Sequence, residues 1–121
     1  MIWILWANTI VEVLAGVGMF FAPASFFPGA EGLSAAVARG MAGAILTVAF
    51  LSLSLTCKET SSDTLKKGVM TLAFYHFIQL VIQLYNASVF PPMLVPPVVI
   101  HVLFSGLFIW YTLALKRRAN V

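Results

Sequence analysis

Charge is what this sequence has least of. Lysine, arginine, aspartate and glutamate together make up 9% of its 121 residues, where soluble domains carry roughly 25%. Cysteine occurs once, as Cys57, which excludes an internal disulfide and removes any argument for an oxidising compartment. No HxxxH or CxxC spacing is present, so no metal site and no cofactor are expected. No GxSxG elbow offers an activated serine. There is no basic groove interleaved with aromatics, and the net charge of +3 predicts no nucleic-acid partner. Low-complexity tracts and internal repeats are absent as well.

What fills the chain instead is apolar. Hydrophobic residues are 61%, and a further 8 glycines bring the apolar share to about 68%, against roughly 45–50% in soluble domains. A water-soluble domain of this length could not hide that much apolar surface. The composition predicts a single integral membrane domain over residues 1–121, with the lipid bilayer as its solvent.

Four apolar stretches, each near the roughly 20 residues that cross a bilayer as a helix, cover about 2–22, 34–56, 68–89 and 98–115. Between them lie "APASFFPGAEG", the polar "CKETSSDTLKK" and the proline-rich "FPPMLVPP". Pro23, Pro28, Gly29 and Gly32 mark the first break, and Ser34 reads as the N-cap of the second span. Backbone amides find no water in hydrocarbon, so spans of this length are helical. The fold class expected is therefore all-α, an integral membrane four-helix bundle. The first stretch lacks a basic leading region and is too long for a signal-peptide core, so it is taken as a span.

Four crossings put the N-terminus, the 57–67 loop and the C-terminal tail on one side. That side holds Lys58, Lys66, Lys67, Lys116, Arg117 and Arg118, six of the seven basic residues; Glu31 is the only charge in the opposite loops. The positive-inside rule then places both termini on the cytoplasmic or matrix side. The membrane is a bacterial inner membrane or a eukaryotic one, organelles included. Trp3, Trp6, Trp110 and Tyr111 fall near the inner interface as belt anchors. Cys57, beside the basic border, is placed where S-palmitoylation occurs. Asn86-Ala87-Ser88 fits the glycosylation sequon but lies too near the membrane edge to serve as an acceptor.

Costly polar residues nonetheless enter every span. Glu12 falls near mid-membrane, Arg39 near the outer end of the second span, His76 near the middle of the third and His101 near the outer end of the fourth. His76, Gln79, Gln83 and Asn86 recur at 3, 4 and 3 residues and should share one stripe facing protein or water. An ion at the helix centre costs roughly 2.5–3.5 kcal/mol on insertion scales, so Glu12 should not stand alone. One expectation is a Glu12–Arg39 pair, since helix rise separates the two by about 7 Å in depth. Another is a protonated Glu12 held by His76 or Gln79. A third is that Glu12 titrates, carrying a proton or touching a polar ligand. The candidate cluster is thus Glu12, Arg39, His76, Gln79, Gln83 and His101. On the second span Ala36, Gly40 and Ala44 recur every four residues, with Ala35, Ala38, Ala42 and Gly43 between, a spacing that lets helix backbones approach, with Gly16 and Gly18 as a matching surface on the first.

Two family resemblances follow from particular stretches. "EVLAGVGM" resembles the first helix of small multidrug transporters, which implies for Glu12 the part of a proton-exchanging carboxylate. That family's later tryptophan-containing motif is missing here, and the charge bias runs against dual insertion. "GVGMFFAPASFF" followed by "VARGMAGAILTVAFLSL" is similar to DoxX-like small four-helix membrane proteins, with Pro23, Arg39 and Gly40 on the matching positions. This likeness spans about half the chain. It implies a compact four-helix bundle serving as an accessory component of membrane redox systems, and it carries over no catalytic residue.

Three functions fit these residues. The first is an accessory, assembly or scaffold subunit, with protein partners or further copies of itself. The second is a binding protein or enzyme for a lipid, sterol or quinone, using the polar cluster. The third is a proton-coupled transporter with Glu12 titrating.

Overall fold

The computed structural model describes residues 2–27, 29, 31–87 and 95–119, with backbone alone at 86, 87, 95, 96, 118 and 119. Among the described residues 89% are helical and none lies in a strand. The elements are α1 (Ile2–Phe21), α2 (Pro23–Phe26), α3 (Gly32–Ser54), α4 (Ser62–Ala87) and α5 (Val95–Ala119). All but α2 are long and apolar enough to cross a membrane. Even the shortest, α1 with 20 residues, extends about 30 Å, the thickness of a bilayer's hydrocarbon core. Large apolar side chains stand outward on each: Leu14 on α1, Phe50 on α3, Phe74 on α4 and Leu103 on α5. The chain packs as two compact units, Met1–Glu59 and Thr60–Val121.

In the first unit α1 and α3 run antiparallel. The ladder is fixed at one end by Ser52, whose buried hydroxyl donates to the Leu5 carbonyl at 2.9 Å. At the other end the Arg39 Nε donates to the Phe20 carbonyl at 3.3 Å. Between them Met19, Ala38 and Ala42 pack with Ile45. Gly16 sits at a close approach of the two helices, since a Cβ there would meet Leu46 Cγ at 2.7 Å and the Ala42 carbonyl at 3.3 Å. Gly18 gives the same clearance to the Phe26 ring, 2.9 Å from a would-be Cβ. Proline sets the break: Pro23 bars Ala22 from helical geometry and opens the single turn α2.

Three expectations are corrected in this unit. Ser34 is not the N-cap of α3. Glu31 holds that place in extended geometry, and its N–H donates to Ser34 Oγ at 3.1 Å while that hydroxyl donates to the Glu31 carbonyl at 2.9 Å. Helix α3 therefore starts at Gly32, whose φ of +52° suits a residue without Cβ. The packed small face is Ala35, Ala38, Ala42 and Ala49, whereas Ala36, Gly40 and Ala44 point outward. A Cβ on Gly40 or Gly43 would meet nothing within 4 Å.

The second unit is the antiparallel pair α4 and α5. Helix α4 begins six residues before the expected Gly68, inside the polar segment. The Thr64 N–H donates to Ser61 Oγ at 3.1 Å, a capping bond. Asp63 in the first turn pairs with Lys67 at 2.7 Å on the exposed face. Helix α5 starts at Val95, with Pro96 and Pro97 in its first turn, where their missing N–H groups cost nothing. It runs past Leu115 to Ala119, carrying Lys116 and Arg117 near the C-terminal end that favours cations. Val69, Leu72 and His76 on α4 and Phe104, Phe108 and Tyr111 on α5 form the buried faces. Tyr111 is thus packed inside and is no belt anchor, while Trp3, Trp6 and Trp110 remain exposed. Most of "FPPMLVPP", and Ser88 of the sequon, lie outside the described residues.

The two kinds of glycine on these helices behave oppositely on substitution. Gly16→Ala forces a methyl into Leu46 and should destabilise the protein by about 1–3 kcal/mol. Gly40→Ala adds a methyl to open space and should leave stability unchanged, or raise it by up to about 1 kcal/mol through helix propensity. Thermal unfolding of both variants in one mild detergent checks the pair.

Candidate functional site

In α1 the polar residues sit on the packed stripe, which runs Ile4, Leu5, Asn8, Thr9, Glu12, Gly16, Met19 at helical spacing. Asn8 is fully buried and Glu12 only 4% exposed. Thr9 returns its hydroxyl to the Leu5 carbonyl at 2.9 Å, so that one carbonyl serves both Thr9 and Ser52. Leu14, two residues from Glu12, is 68% exposed. The carboxylate therefore turns away from the surface that its apolar neighbours present.

Arg39 does not join it. It is exposed, and its Nε is given to the Phe20 carbonyl. The expected Glu12–Arg39 ion pair is replaced by this backbone contact, because the α1–α3 register sets Arg39 level with Phe20, eight residues and about 12 Å along α1 from Glu12. Among the described residues the salt bridge is Lys67–Asp63.

The second unit brings two candidates together. His76 on α4 and His101 on α5 face each other with their Nδ1 atoms 3.0 Å apart. The pairing follows from the hairpin, which carries two positions 25 residues apart to the same level. His76 is wholly buried and His101 half-buried. Aromatic rings surround the pair. Phe104 and Phe108 stack on His76 with centroids at 5.1 and 5.6 Å and ring planes within 22° and 18°. Tyr75 presents an edge to both imidazoles, at 5.0 and 6.3 Å. Phe104 and Phe108 follow His101 at 3 and 7 residues, the spacing that keeps all three on one helix face.

That distance constrains the chemistry. An N–H···N bond requires one Nδ1 to carry a proton and the other to be bare, so the neutral pair contains one imidazole of each tautomer. Gln79 and Gln83 continue the α4 stripe as half-buried residues. Gln83 Oε1 has no hydrogen-bond partner among the described residues, and the same holds for the buried Ser105 hydroxyl one turn beyond His101. The Asn86 side chain lies outside the described residues. The polar stripe pointed to His76, but its aromatic surroundings were missed. The recurrence of Phe104 and Phe108 after His101 is the signal that could have found them.

Removing one half of the histidine pair should cost more than removing both. His101→Phe leaves His76 Nδ1 without this partner and should destabilise the protein by about 1–3 kcal/mol. The double change of His76 and His101 to Phe should recover part of that loss, as a double-mutant cycle of detergent unfolding would measure. No protein-family model matches the chain, and searches of curated proteins and of solved structures return no similar protein.

Proposed function

We propose that this chain is a small multi-pass membrane protein that acts as an accessory, assembly or scaffold subunit of a larger membrane complex. The observation that supports this reading is the outward face of α3. Ala36, Gly40 and Ala44 lie exposed at four-residue spacing, with open space above Gly40 and Gly43. Without water to drive association, helices in lipid gain by close van der Waals approach, which small residues permit. Within the first unit α1 packs on a different face of α3, so this one can take a further helix. Both termini, with six basic residues on their side, lie in the cytoplasm or matrix. The resemblance to DoxX-like proteins agrees with an accessory role.

A second reading is a binding protein or enzyme for a lipid-, sterol- or quinone-like ligand, or else a proton-coupled small transporter with Glu12 titrating. It is favoured by the buried His76–His101 pair and the inward Glu12. In it Glu12 would serve in the first helix pair, and His76, Gln79, Gln83 and His101 in the second.

Native mass spectrometry of gently solubilised membranes separates the two. A scaffold subunit should emerge with larger partners or further copies at fixed stoichiometry. Gly40→Leu should reduce that association at least tenfold while the isolated chain unfolds at an unchanged temperature. A monomer carrying a lipid-sized adduct, insensitive to Gly40→Leu, would favour the second reading over the first.

A further inference from the structure

We propose that His76 and His101 form a proton-sharing imidazole dyad, a site that binds one extra proton and passes protons from ring to ring. The inference is independent of the scaffold reading. It starts from the 3.0 Å between the facing Nδ1 atoms. Two bare nitrogens at that separation repel, and so do two N–H groups, so one proton lies between them. The ring that donates it has a bare Nε2. The ring that accepts it carries its own proton on Nε2.

This arrangement can accept a proton without being broken. A proton arriving at the bare Nε2 turns the first ring into an imidazolium, whose Nδ1 proton moves across to the second ring. The second ring then holds protons on both nitrogens and releases the one on Nε2. One proton has entered at one end of the dyad and one has left at the other. The tautomers are exchanged, no heavy-atom bond has changed, and no electron has moved. The intermediate cation keeps its hydrogen bond, now charge-assisted and stronger than the neutral one.

Geometry limits the dyad to one such cation. The faces of Phe104 and Phe108 lie against His76, where their quadrupoles attract positive charge. The titratable side chain that α4 sets against both rings is Tyr75. Toward His76, α5 sets Phe104 and Phe108, neither of which ionises. A second proton would put N–H against N–H at 3.0 Å, so the pair titrates as one coupled unit. Two facing imidazoles can also be ligands of a transition metal. However, no third His, Cys, Asp or Glu joins them among the described residues.

The two histidines are the only ones in the chain, so 15N-histidine labelling reports on this pair alone. The wild-type protein, stripped with a chelator and reconstituted in lipid nanodiscs, is followed by 15N NMR as pH is lowered. The dyad predicts one imidazole of each tautomer at neutral pH, an N···N coupling across the hydrogen bond, and uptake of one proton per pair with the coupling kept. His101→Asn should abolish the coupling. Two rings of the same tautomer, absence of coupling, or two independent protonations would overturn the proposal. So would stoichiometric capture of Zn2+ by both Nδ1 atoms at micromolar concentration, which would make the site a metal site instead.

Discussion

Four of these helices are long and apolar enough to cross a membrane, and on such helices a polar group facing lipid is expensive. Nothing in a lipid acyl chain can accept or donate a hydrogen bond, so each polar side chain on a span must turn inward, bond to its own backbone or reach for an end. Glu12 and His76 are the two most demanding cases, and both are buried while apolar neighbours such as Leu14 and Phe74 face out. Thr9, Thr47, Thr71 and Thr112 take the second route, each returning its hydroxyl to the carbonyl four residues before. Exposed Arg39 reaches the Phe20 carbonyl near the end of α1. The outward surface is left to side chains that lipid tolerates.

Two helix pairs meet that constraint by different means. The first unit packs backbone against backbone, through Gly16 and the Ala35, Ala38, Ala42, Ala49 face, with Ser52 adding a direct bond to the opposite helix. Its specificity comes from small residues, and one added methyl at Gly16 would disturb it. The second unit packs through rings. Phe104, Phe108 and Tyr75 fill the space, and the histidine pair is the polar tie among them. Flat stacked rings and a hydrogen bond of fixed length set the register of α4 against α5 more sharply than aliphatic contacts would.

Much of the helical layout could be read from residue types. Four apolar stretches of bilayer length gave the long helices, and Pro23 gave the break after α1, because proline restricts its predecessor regardless of context. The helix starts were harder. Residues 62–67 look like loop by polarity, yet Ser61 caps them and Asp63 ties to Lys67, so α4 begins there. The face of α3 was misread for a different reason. Small residues occupy every side of that helix, and periodicity alone cannot tell the row that packs from the row left outside. Of the polar cluster, the inward direction of Glu12 and His76 followed from cost. The meeting of His76 with His101 did not, since it depends on how the chain turns between α4 and α5. Glu12 with Arg39 failed on register, since α3 sets Arg39 level with Phe20, about 12 Å along α1 from Glu12 and beyond the separation in depth that was expected.

The account's central claim is that these helices turn their polar side chains away from the acyl chains. Its most direct test is to reconstitute the wild-type protein with lipids that carry a carbene precursor midway along the acyl chain. Light then inserts the carbene into whatever the chain touches, and mass spectrometry maps the adducts. Adducts should appear on Leu14, Phe74 and Leu103, which are 68%, 67% and 58% exposed, and none on Glu12 or His76. Labelling of either of those two residues at the level of Leu14 would contradict the account.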